Sequence, residues 1–255
     1  MEQRVRPRTQ KSRNSRRAFL RRRRQQDLLT KTIIFVAILA CVIGGAFFVK
    51  MLGSSKERAD LNKYYGIEKE EQLAVIVDNK VVGAKGILSE GKPYIEYSVV
   101  RNYLNERFYV DANENLLLYT LPQGTIRAEV GSKEYTLQKE NEQKEYVIFK
   151  IDGDTAYISL DFVQDYTNIK FSVYQKPNRV MIVSQWGEVT TAVVKKNTQI
   201  RTEQSSKSSI LTDISKRDEV TIISSKDNWK KIRTEDGFIG FVKSSALKKA
   251  EVKKI

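Results

Sequence analysis

No histidine occurs anywhere in the chain and only one cysteine does, Cys41, so no imidazole is available to any active site. Ser-His-Asp and Cys-His catalysis, HExxH zinc sites and histidine-ligated copper are thereby excluded. Two patterns remain whose residue types and spacing suit chemistry. One is Ser245-Ala246-Leu247-Lys248, an SxxK spacing; the other is the group Asp152, Asp154 and Asp161. A serine acyl enzyme built on SxxK also needs SDN and KTG partners, and the chain has neither. The aspartates fall in a turn and at the start of an expected helix, where carboxylates cap backbone amides, so they are not read as a glycosidic acid and base. No residues support copper binding, ATP use or DNA recognition. The chain is therefore expected to be non-catalytic, without a metal or other cofactor.

The elements that would position any site begin with an uneven charge distribution. Residues 1–31 hold twelve of the 45 Lys and Arg residues but two of the 31 Asp and Glu residues, so most of the formal charge of +14 belongs to this tail. Residues 32–49, TIIFVAILACVIGGAFFV, carry no charge. At about 1.5 Å per residue they reach about 27 Å, close to a bilayer core. Met51 and Leu52 extend the apolar run, predicting a transmembrane helix over 32–52. A cleaved signal peptide is the alternative, but it wants a shorter basic start and small residues where Phe47 and Phe48 stand. By the positive-inside rule the basic tail (1–31) is expected in the cytoplasm and the C-terminal domains outside a single-pass cell membrane. Cys41 reads as apolar filler, and the lack of cysteine pairs fits a bacterial envelope that does not rely on disulfides. The arginines at 16–24 lack an aromatic platform, which argues for contact with the membrane surface and against nucleic acid as a partner.

Beyond a polar juxtamembrane spacer (53–72, with helical character near Tyr64 and Tyr65), the chain repeats itself. Residues 94–120 align without gaps on residues 157–183, an offset of 63, with 8 of 27 positions identical, including Tyr94/Tyr157, Ile95/Ile158, Phe108/Phe171 and Asn115/Asn178. Each copy reads as a Gly turn, a short strand, a helix-period stretch (Val99, Val100, Tyr103, Leu104 in the first; Phe162, Val163, Tyr166 in the second) and two strands around a polar turn. A small α+β domain over 73–186 is expected. Asp152-Gly153-Asp154, Ala156-Tyr157-Ile158-Ser159-Leu160 and Asn178-Arg179-Val180-Met181-Ile182 carry a resemblance, over about residues 73–184, to the copper amine oxidase N-terminal-like domain of bacterial envelope proteins. That resemblance implies a scaffold or binding module without a metal site.

After Trp186-Gly187 the pattern changes to short strands with close turn signals: 188–194, 198–202, 219–224, 229–233 and 237–242. This predicts a small all-β SH3-like barrel over 188–248, followed by a linker or tail over 249–255. Thr198-Gln199-Ile200-Arg201, Ser208-Ser209-Ile210-Leu211, Asp218-Glu219-Val220, Asn228-Trp229, Lys231-Ile232-Arg233-Thr234 and the run 237–242 resemble the bacterial SH3 domain of cell-wall proteins. Arg217 departs from the pattern, which usually has glycine before the aspartate, so a local difference in that turn is expected. The resemblance implies contact with peptidoglycan or another envelope polymer. Aromatic faces stack on sugars or stem peptides, which makes Trp229, Phe238 and Phe241 the candidate ligand-binding platform, with Arg201 and Asp236 at its edge. The competing reading has Phe238 and Phe241 closing the barrel and Trp229 bracing a loop.

The order of parts resembles the non-catalytic front of membrane-anchored family 18 glycoside hydrolases of anaerobic Gram-positive bacteria, whose DxxDxDxE signature this chain lacks. Three functions stay open: a membrane-anchored envelope protein that binds cell wall without chemistry, the targeting part of a truncated hydrolase, and a scaffold that binds other envelope or division proteins.

Overall fold

A computed structural model describes residues 31–45 and 53–254. The chain divides into two units, residues 1–54 and 55–255. In the first, residues 31–45 form a helix, α1. Among the described residues no helix is long and apolar enough to cross a membrane. This overturns the expected transmembrane helix at 32–52, and with it the single-pass localisation. The 15 described residues of α1 reach about 22 Å, whereas a span needs about 20 residues. Residues 1–30, most of the expected basic tail, and residues 46–52, the end of the expected span, lie outside the described residues.

The second unit corrects the expected α+β class as well, because it is built mostly from three sheets. Its helical pieces are short: α2 (Leu61–Tyr65), α3 (Tyr97–Val99) running into a π turn at Val100–Leu104, and α4 (Leu160–Asp165). The helix-period stretches of the repeat thus make only one or two turns. Their apolar residues Val99, Val100, Phe162 and Val163 are fully buried, so packing rather than helix length stabilises them.

One seven-stranded sheet runs in the order β11 (Lys170–Tyr174), β12 (Arg179–Val183), β1 (Gln72–Val77), β2 (Lys80–Ser89), β3 (Lys92–Glu96), β10 (Thr155–Ser159), β9 (Phe149–Asp152). A five-stranded sheet follows the chain from β4 (Phe108–Asp111) through β5 (Leu116–Leu121), β6 (Gly124–Glu129) and β7 (Glu134–Leu137) to β8 (Glu140–Gln143). The repeat is present in the register. Ile95 faces Ile158 and Glu96 faces Tyr157 across the β3–β10 pair, so the two copies meet about a local two-fold axis between the isoleucines. Phe108 pairs with Tyr119 in the first copy, as Phe171 pairs with Ile182 in the second. The hairpins then diverge: β12 joins β1 in parallel, whereas β5 pairs with β6. Between the sheets lies one core in which Phe108, Phe162 and Tyr135 pack with Val75, Ile95 and Ile158.

The other seven-stranded sheet runs in the order β15 (Ile210–Ile214), β14 (Thr198–Arg201), β18 (Ile239–Lys243), β17 (Trp229–Thr234), β16 (Glu219–Lys226), β13 (Glu188–Val193), β19 (Glu251–Lys254). On one face of its strands lies a second core of Val194, Ile200, Leu211, Val220, Ile232 and Val242. Gly240 is required there, since a Cβ would meet the Ile200 Cγ2 at 2.6 Å and the Arg201 carbonyl oxygen at 2.7 Å. Two segments read as spacer and tail are part of this module. Residues 57–59 lie beside β15, with Ala59 N–H donating to the Ile210 carbonyl and Ile210 N–H to the Glu57 carbonyl. Residues 251–254 pair with β13.

A third cluster joins the modules. Tyr65 of α2, Ala74 and Ile76 of β1, and Phe238 and Ile239 pack together, with Met181 and Ile223 at the margin. It explains why β1 is apolar at consecutive positions: Val75 and Val77 face the first core, while Ala74 and Ile76 face this seam.

Candidate functional site

The five candidate side chains occupy three places. Phe238 and Asp236 lie in the seam between the modules. Phe238 is 5% exposed, packed near Tyr65, with the Arg179 guanidinium carbon 4.1 Å from its ring centroid. Asp236 Oδ2 accepts from Arg179 Nη2 at 2.9 Å, and its carbonyl accepts from Arg179 Nε at the same distance. Arg179 comes from β12 of the first module and donates further to the carbonyls of Gln175 and Pro177. Burial pulls its pKa below the ordinary arginine value, opposed by the charge of Asp236. These contacts fasten one module to the other and set Phe238 and Asp236 apart from the face that carries Trp229, although the Asp236 side chain stays 47% exposed.

Arg201 is buried and structural. Its Nη1 donates to the Ser208 carbonyl, while its Nη2 donates to the Ser55 carbonyl at 2.9 Å and to Gln199 Oε1 at 3.1 Å. The side chain therefore holds the 203–208 loop and the entering segment in place. Ser208 Oγ closes the same loop by donating to the Ser205 carbonyl at 2.8 Å.

Trp229 and Phe241 remain on the outer face of β17 and β18. Directly opposed residues of an antiparallel pair share a face. The face of Val242 and Ile232 is the barrel core, so Trp229, Lys231, Phe241 and Lys243 lie on the other side. There Trp229 stands between Lys226 of β16 and Lys243 of β18, one on each neighbouring strand. Lys231 stands between Ser224 and Phe241, and Phe241 in turn pairs with Arg201. Farther along the same face, Arg233 and Ile239 turn into the seam, where Arg233 Nε donates to Asn79 Oδ1 at 3.0 Å. One end of this face is thus covered by the first module, and the other carries Trp229.

Beside Trp229 is an open groove of about 500 Å³ lined by Gln204, Ser205, Ser206, Asn228, Lys243 and Ser245. Its amide and hydroxyl groups can donate and accept, and Trp229 offers a half-buried aromatic face; Lys243 Nζ lies 6.0 Å from the ring centroid. Such a combination orients a polar ligand while stacking on its apolar face. Sequence reasoning missed the lysines and the loop residues. The available signal was the period-two alternation of Trp229 with Lys231 and of Phe241 with Lys243 along adjacent strands.

The carboxylates considered for catalysis do not converge. Asp161 pairs with Lys92 at 3.1 Å, and Asp152 ends β9, opposite Thr155. Arg217 adopts the left-handed conformation, with φ of 81°, so the turn keeps the backbone shape that glycine favours, against the expected local difference. No curated protein and no solved structure matches the chain. Residues 196–248, which contain the Trp229 groove, match the bacterial SH3 domain family.

Proposed function

We propose that this chain is a non-catalytic binding protein whose SH3-type module engages peptidoglycan of the cell wall through Trp229 and the adjoining groove. Modules of this family generally bind cell wall, and the match covers residues 196–248. The observation that carries the reading is the half-buried Trp229 on the outward face of that module, beside a polar groove of about 500 Å³. Aromatic faces suit the apolar faces of sugar rings, while Asn228, Gln204 and Ser205 supply donors and acceptors for hydroxyl and amide groups. In this reading the repeat domain, with its resemblance to the copper amine oxidase N-terminal-like domain, is the support to which the binding module is fastened by Arg179, Phe238 and Asp236.

The test is cosedimentation of the full chain with purified sacculi, beside a Trp229→Ala variant. Pelleting of the wild type and retention of the variant in the supernatant supports the reading. No pelleting of the wild type at moderate salt contradicts it and directs the search to protein partners of the envelope.

A further inference from the structure

Resting on that wall-binding reading, we propose that the face beside the peptidoglycan groove also binds a phosphodiester-linked anionic polymer attached to the wall, held by Lys226, Lys231 and Lys243 around Trp229. The outer face of β16, β17 and β18 is a small lattice of cations and aromatics. One row is Lys226, Trp229, Lys243; the next is Ser224, Lys231, Phe241, Arg201. Neighbouring strands are about 4.8 Å apart and alternate residues about 6.7 Å. Three lysines therefore occupy positions next to one tryptophan on this face, within reach of a single extended polymer.

None of the five ion pairs among the described residues uses these lysines. In contrast, several acids of the same module are already engaged: Asp213 by Arg58, Glu219 by Lys253 and Asp236 by Arg179. Acidic side chains collect in a different groove, lined by Asp213, Asp218, Glu219, Glu235 and Asp236. The module thus separates its charge, and no carboxylate lies in either row of the Trp229 lattice. A neutral glycan gives unneutralised ammonium groups little to bind, whereas a phosphodiester chain offers one full charge per unit that a lysine meets as a point charge. Polyol or sugar between the phosphates fits against Trp229 and Phe241.

The test compares two charge-matched variants of the full chain. One carries Lys226→Gln, Lys231→Gln and Lys243→Gln; the control carries Lys69→Gln, Lys133→Gln and Lys196→Gln. The basic residues 1–31 contribute equally to both. Binding is measured on sacculi bearing the anionic polymer and on the same sacculi stripped of phosphodiesters with hydrofluoric acid. On intact sacculi the first variant is expected to bind at least about tenfold more weakly than the control at low salt. Its slope of log affinity against log salt should be shallower by about 2, the value for three phosphate contacts to a single chain. On stripped sacculi the two variants should bind alike. Equal binding of the two variants to intact sacculi overturns the proposal, as does an equal difference on stripped sacculi, which would assign the lysines to stem-peptide carboxylates. Equal competition by single-stranded DNA and by purified wall polymer, at the same phosphate concentration, also overturns it. Failure of the wild type to bind either preparation contradicts the wall-binding reading itself and is distinguishable from these outcomes.

Discussion

Replacing Arg179 should damage the protein far more than replacing its ionic partner Asp236, because most of what Arg179 does is not a salt bridge. The Arg179 side chain is 2% exposed and donates four hydrogen bonds, three of them to backbone carbonyls, while its guanidinium carbon lies 4.1 Å from the Phe238 centroid and 5.2 Å from that of Tyr174. Net hydrogen bonds to charged groups are worth roughly 1.5–3 kcal/mol and a desolvated cation–aromatic contact about 2 kcal/mol, but water can re-enter after truncation. We expect Arg179→Ala to cost about 4 kcal/mol, or about 8–16 °C of Tm for a unit of this size. The Asp236 side chain is 47% exposed, so its charge is screened and its attraction to Arg179 is worth about 1 kcal/mol or less. In Asp236→Asn the backbone carbonyl still accepts from Arg179 Nε, and the expected loss is about 2–4 °C. Calorimetry of the full chain reads both, and one cooperative transition is expected for residues 55–255 because the seam couples the two cores. Equal losses in the two variants would refute the ranking of stacking and carbonyl contacts above the ion pair. Two separate wild-type transitions for this unit would refute the coupling.

Other consequences concern the turns, the barrel interior and acid stability. Arg217→Gly should raise stability by about 0.5–1 kcal/mol, since the left-handed conformation costs a side-chain-bearing residue roughly 1–2 kcal/mol and the added freedom of glycine offsets part of the gain; urea unfolding measures this. Gly240→Ala should cost about 1–3 kcal/mol by the same method, because its Cβ meets backbone and core atoms rather than a flexible side-chain tip. Asp213 and Glu219 are held below the usual carboxylate range, chiefly by hydrogen bonds from Arg58 and Lys253. Their contribution is therefore complete above the unfolded values of about 3.9 and 4.3 and is lost as pH falls through the lower folded values. Arg58→Gln combined with Lys253→Gln should flatten the acid limb of a stability-against-pH curve below about pH 4 while changing stability at pH 7 by about 1 kcal/mol or less.

What could be read in advance depended on whether the signal was local. The 63-residue repeat was visible because equivalent positions keep the same hairpin registers, Phe108 with Tyr119 and Phe171 with Ile182. The strands at 198–201, 219–226 and 229–234 stand where alternation and turn residues placed them. Ile210–Ile214 escaped notice because its apolar residues are partly consecutive, and Glu251–Lys254 because all four residues are exposed at an edge. The seam position of Phe238 and Asp236 was not legible because their partner, Arg179, is 57 residues away from Asp236 in sequence. A clue to that seam existed in the unbroken apolar stretches of β1 and β12, which an antiparallel neighbourhood with one solvated face would not need. The expected span at 32–52 rested on an uncharged apolar run and its reach, and no helix among the described residues is long and apolar enough to cross a membrane.

Affinity of the full chain for sacculi, measured for the wild type, Trp229→Ala and Trp229→Phe, tests the central claim most directly. A buried aromatic anchor is worth about 2 kcal/mol or more, so Trp229→Ala should bind about 30-fold more weakly, with Trp229→Phe in between and the Tm of all three alike. Unchanged affinity in Trp229→Ala would contradict the account and remove the groove from the wall-binding surface.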